Sequence, residues 1–165
     1  MESLLPYLLN CFLFFIPVFV WNLIFFRKLP AGYQKPAWDN VPKPLAVLEN
    51  VLRIIAFISP VFLKIEFSSV LQRAGAIFYG FGIAVYFSSW LIVIRRPDSR
   101  WSKSAVGFTA PAWTTAAWLG GIGLVGRRTI IPGLPYSFIV YLSITIAFVC
   151  VHTTHACLAF RNRKR

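Results

Sequence analysis

The chain has 165 residues, 58% of them hydrophobic and only 13% charged, with 16 phenylalanines and a mean hydropathy of +0.67. Soluble domains average about 45–50% apolar and about 25% charged residues, and 10 Gly, 11 Pro and 3 Cys are too few for a disordered, collagen-like or disulfide-stapled chain. A net charge of +12 points to nucleic acid in a soluble protein. Here the basic residues stand at the ends of apolar runs, where anionic lipid headgroups lie, and no zinc or RNP motif or interleaved basic–aromatic groove accompanies them. The composition therefore reads as an all-α, polytopic integral membrane protein that partners the bilayer rather than nucleic acid.

A helix crosses the hydrocarbon core with about 20 apolar residues. Five runs qualify, at residues 4–26, 44–63, 71–94, 105–125 and 134–160, and they are expected to form one transmembrane domain over residues 1–165. The first is longer than the apolar region of a signal peptide and ends in Arg27-Lys28, so it reads as a retained helix. The second is interrupted by Glu49, Asn50 and Arg53, but without it the apolar run 54–63 has nowhere to fold. Pro17, Pro60 and Pro111 lie inside spans and should kink them or free backbone carbonyls.

The connections fix the expected orientation. Arg27, Lys28, Lys35 and Lys43 fall in the first, Arg95, Arg96, Arg100 and Lys103 in the third, and Arg161, Arg163, Lys164 and Arg165 in the tail. These twelve outweigh Lys64, Arg73, Arg127 and Arg128 on the other side, which puts the N-terminus outside and the C-terminus in the cytoplasm, with the plasma (cytoplasmic) membrane as the expected location. Trp38 and Trp101 suit aromatic anchors at headgroup level. The third connection reads as a turn with Ser102 or Ser104 capping the fourth helix, or more sharply as a phosphate-headgroup contact through Arg95, Arg96 or Arg100.

Helices associate in lipid through small residues. The fourth span offers Ala116/Gly120 and Ala117/Gly121, a surface for packing within the bundle or for a homo-oligomer or membrane complex, and the third aligns Gly75, Gly82 and Ser89. Cys11, Cys150 and Cys157 lie in apolar runs with no CxxC or thiol–His signature and read as small buried residues.

Polar groups at membrane depth are costly and default to a functional hypothesis. Glu49 precedes Arg53 by four residues, the favourable order for a pair on one helical face. The pair reads either as a self-neutralising anchor or as the charged wall of a site with Asn50 beside it. On the fifth span, Tyr141, Thr145, Phe148, His152 and His155 share one stripe by helical periodicity. The histidines read as hydrogen-bonded across the bundle, or as proton-handling or ligand-contacting groups. Two histidines three apart can share a metal, but a catalytic zinc site wants three protein ligands and Glu49 would have to supply the third, so neither a metal nor a cofactor is expected.

Alternation of the spans places Trp21, Asn22, Tyr86, Ser88, Ser89, Trp90, Glu49, Asn50, Arg53, Thr109, Trp113, Thr114, His152 and His155 on one side of the midplane, with Asn10 the exception. One cytoplasm-facing, aromatic-lined polar cavity accounts for this better than five independently anchored helices. Its expected lining is Trp21, Asn22, Glu49, Asn50, Arg53, Tyr86, Trp90, Trp113, Tyr141, His152 and His155.

No P-loop, GxGxxG, HExxH, GxSxG or Asp-rich diphosphate motif is present. Any acid–base chemistry falls to Glu49, His152 and His155 or a tyrosine. The leading expectation is a cavity that binds or passes a small amphipathic or anionic ligand. The alternatives are a membrane-embedded acid–base enzyme on a lipid-soluble substrate and a non-catalytic subunit of a membrane complex.

Tyr33-Gln34-Lys35-Pro36-Ala37-Trp38 resembles the first-loop Lys-Pro-x-Trp element of the tryptophan-rich sensory/translocator family, five-helix proteins of similar length that bind porphyrins and sterols in a helical pocket. Pro111-Ala112-Trp113-Thr114 resembles that family's Pro-x-Trp-Thr. The two elements are nearly adjacent in the family and two helices apart here, so the resemblance extends to size and architecture and no residue role is carried over.

Overall fold

A computed structural model describes residues 8–30, 33, 38, 40–131, 133 and 137–162, which are helical with no strands. The expected starts of the first and fifth spans, Lys35, most of the Tyr33–Trp38 run and Arg163, Lys164 and Arg165 lie outside the described residues. In chain order the elements are α1 (Cys11–Lys28), α2 (Lys43–Phe62), α3 (Val70–Arg95), the single turn α4 (Arg100–Lys103), α5 (Ala105–Trp113), α6 (Thr115–Val125) and α7 (Phe138–Asn162). Four of them, α1, α2, α3 and α7, are long and apolar enough to cross a membrane.

The expected fourth span is two successive helices, α5 and α6, divided at Thr114. Pro111 has no backbone N–H, which frees a carbonyl one turn back. The next hydroxyls turn inward: Thr114 Oγ1 donates to the Ala110 carbonyl at 2.6 Å and Thr115 Oγ1 to that of Pro111 at 2.9 Å. The other two span prolines also mark a change of winding. Pro17 opens the α-helical part of α1 after a 3₁₀ turn, and Pro60 sits where α2 tightens into 3₁₀ at its end.

Glycine decides the tightest packing. A methyl group on Gly82 would meet the Trp118 nitrogen at 2.5 Å, and one on Gly121 the Tyr79 nitrogen at 2.5 Å, so the backbones of α3 and α6 are in contact. Gly75 approaches Leu124 in the same seam, whereas Gly120 meets only the Phe78 ring edge at 3.4 Å. Gln72, 2% exposed, locks the upper end of this seam. It completes a capping box with Ser69, and its Nε2 donates to the Val125 carbonyl at 3.3 Å, supplying a partner for the last turn of α6.

The same end of the bundle is tied by backbone bonds. Cys11 N donates to the Leu63 carbonyl at 2.8 Å, Lys64 N to Arg128 at 2.8 Å and Ile130 N to Phe62 at 2.9 Å, while Asn10 caps α1. Asn10, the polar residue expected apart from the others, thus serves a helix start. At the opposite end Ser99 caps α4 and Ser104 caps α5; Ser102 is buried instead and donates to the Arg96 carbonyl at 2.7 Å. Asp98 bonds Lys103 at 2.8 Å, and that hydrogen bond and charge hold its carboxyl below its usual pKa.

Between the ends, Phe15, Phe57, Tyr86, Trp118 and Phe148 pack a core shared by α1, α2, α3, α6 and α7; the Phe15 and Trp118 rings meet edge-on at 5.3 Å. The outside is apolar: Leu23, Val70 and Ile77 are each about three-quarters exposed (74%, 75% and 75%). Water would penalise such a surface, whereas lipid tails solvate it.

Candidate functional site

Helix periodicity brings two pairs of side chains face to face. On α2, Glu49 and Arg53 are one turn apart; on α7, His152 and His155 share the face turned toward α2. Glu49 is 2% exposed and its carboxylate is the hub. One oxygen, Oε1, accepts from Arg53 Nη2 and, at 2.9 Å, from His152 Nδ1; the other, Oε2, accepts from His155 Nδ1. Arg53 Nη1 also donates to Asn50 Oδ1 at 3.2 Å, and the Arg53 side chain remains 41% exposed.

A carboxylate bonded to a guanidinium accepts and does not donate, so each histidine carries its proton on Nδ1 and presents Nε2 as an acceptor. The His152 ring is held flat on Phe148, with centroids 5.3 Å apart and planes 8° off parallel. The His155 ring is buried against Trp38, edge-on at 5.1 Å, and its Nε2 is buried without a hydrogen-bond partner. Among the described residues no three His, Cys, Asp or Glu side chains are arranged to hold a metal ion.

Tyr86 extends the cluster toward α1 and α3. Its hydroxyl lies near Asn22, Trp90 and Arg53. Trp21 stacks on Phe87 at 4.2 Å, joining α1 to α3 beside this group. Thus Asn22, Glu49, Asn50, Arg53, Tyr86, Trp90, His152 and His155 are brought together, with Trp21 at their edge. Two expected lining residues stand apart. Trp113 is 41% exposed on the outer face of α5, with Nε1 donating to its own helix at the Val106 carbonyl, because the break at Thr114 sets its helix end outward. Tyr141 is fully buried, but it sits four turns from His155, at the far end of α7 beside Gly123.

The first connection corrects the reading of Trp38 as a headgroup anchor. Its ring is inserted between His155 and Phe108, and Val41, Phe108, Ala159 and Phe160 pack around it. Tyr33 stacks on Phe108 at 4.4 Å and donates to the Phe108 carbonyl at 2.7 Å, fixing its own ring on α5. Apolar burial wins over the interface because Phe108, Ala159 and Phe160 offer the Trp38 ring an apolar surface at these helix ends. Trp101, by contrast, is 42% exposed. It borders a shallow groove of about 410 Å³ with Arg95, Arg96 and Ser99 at the basic end of the bundle.

Trp38, Tyr33 and Phe108 are the site neighbours that sequence reasoning missed. The one signal for them is the density of proline and aromatic residues in the first connection, which does not say what those rings pack against. No family model, curated protein or solved structure matches this chain.

Proposed function

We propose a five-span membrane protein, N-terminus outside and C-terminus cytoplasmic, whose Glu49 centre forms a cytoplasm-facing site for a small amphipathic ligand. The observation that carries this reading is a buried carboxylate bonded by three side chains from two helices. Arg53 alone suffices to neutralise Glu49 in an anchoring pair. Turning two histidines onto the same carboxylate, and burying His155 with its Nε2 unbonded, is costly unless that atom receives something. With Arg53 committed to Glu49 the centre is formally neutral, which favours a head that exchanges hydrogen bonds over a bare anion. Aromatic rings of Trp38, Tyr86, Trp90 and Phe108 suit the apolar part. In this arrangement α5 and α6 together make the fourth crossing, and the basic connections lie in the cytoplasm, where Arg95 and Arg96 meet anionic headgroups.

A second reading, an acid–base enzyme on a lipid-soluble substrate, is favoured by one feature: a carboxylate-oriented histidine with a bare Nε2 has the geometry of a general base. A role as a subunit has less support, because Gly75, Gly82, Gly121 and Gly123 are used in contacts within the chain.

The test is mass spectrometry of organic extracts from detergent-purified protein. Wild type is expected to carry a lipid-like molecule that the Glu49→Gln/Arg53→Gln double variant, folded and with balanced charge, has lost. Equal retention by both proteins would leave the pair as an anchor only.

A further inference from the structure

Two neighbouring rings at the cytoplasmic end of the proposed site each carry a buried polar atom with nothing to bond. Trp38 Nε1 and His155 Nε2 are both buried and without hydrogen-bond partners, and their rings are 5.1 Å apart. Their chemistry is complementary. Indole N–H only donates, and His155, with its Nδ1 proton on Glu49, only accepts at Nε2. An oxygen bonded to both nitrogens would lie about 2.9 Å from each. The smallest group that accepts one hydrogen bond and donates another is a hydroxyl.

We propose that Trp38 and His155 together receive one hydroxyl group of a lipid-soluble alcohol or phenol. The inference rests on the reading of the Glu49 centre as a ligand site and names its ligand class. A carboxylate or phosphate head fits less well, because it has no proton to give to Nε2. Phe108 and Tyr33, stacked behind Trp38, supply a wall for the apolar part.

The probes are 4-nonylphenol and its methyl ether, 4-nonylanisole, titrated against the full-length protein in nanodiscs. The ether keeps the ring, chain and oxygen, is larger by one methyl group, and cannot donate. The phenol is expected to bind about tenfold more tightly than the ether, the worth of one buried hydrogen bond. Trp38→Phe keeps an aromatic ring and removes the indole donor; it should weaken phenol binding about five- to tenfold and leave binding of the ether nearly unchanged. Equal binding of phenol and ether to wild type would overturn the hydroxyl assignment, leave a water between the two rings, and keep the ligand site. Binding of neither probe would overturn both. A phenol affinity unmoved by Trp38→Phe would remove Trp38 from the site, and if that variant failed to fold, the phenol–ether comparison on wild type would decide.

Discussion

The His155 imidazole, near the end of the last helix, bonds the same carboxylate of Glu49 that Arg53 neutralises from one turn along the second helix. Glu49 is thereby both half of an ion pair and the orienting group of two histidines. Stability and ligand chemistry are coupled through it.

That coupling predicts an uneven response to charge removal. Breaking a buried pair from one side costs about 3–5 kcal/mol. Arg53 is partly exposed, so solvent screening reduces the expected loss for Arg53→Gln to about 1–2 kcal/mol. Glu49→Gln should cost more, because it also removes the acceptor of both histidines. The double variant should recover part of the loss, since no uncompensated charge remains. Thermal unfolding in detergent checks this; silent single variants would place Arg53 at lipid phosphate instead.

The seam between α3 and α6 gives a graded prediction. Gly82→Ala and Gly121→Ala place a methyl group 2.5 Å from backbone nitrogen, which cannot step aside, and each should destabilise by about 1–3 kcal/mol. Gly80→Ala faces open space and should be neutral or slightly stabilising, as helix propensity favours alanine by about 0.5–1 kcal/mol. Unfolding midpoints of the three variants should fall in that order.

Orientation is tested by labelling in intact cells. In a background freed of Cys11, Cys150 and Cys157, Thr129→Cys should react with an impermeant thiol reagent and Asn162→Cys should not. The reverse pattern would turn the protein over and put the Glu49 site at the outer face.

Long apolar length made α1, α2, α3 and α7 legible in the sequence, because a span is a local, one-dimensional property. The glycine stripe of α3 was legible for the same reason, and Gly75 and Gly82 do face α6, the second half of the expected fourth span. The division of that span at Thr114 was signalled only as a kink at Pro111, since whether proline bends or breaks a helix depends on hydroxyls nearby and on neighbouring helices. At the site, periodicity put Glu49 with Arg53 and His152 with His155 on common faces. The pairing of these two faces follows from the antiparallel packing of α2 and α7, and no periodicity contains it. The insertion of Trp38 beside His155 is further from local reach, because a loop's destination depends on which recess the assembled helices leave open.

Nitrogen-15 NMR of histidine-labelled protein tests the central claim, that one Glu49 carboxylate orients both imidazoles. Above neutral pH, His152 and His155 should each carry the proton on Nδ1 and none on Nε2, and Glu49→Gln should shift at least one ring away from this tautomer. Protons on Nε2 in both rings of the wild type, or tautomers indifferent to Glu49→Gln, would contradict the account.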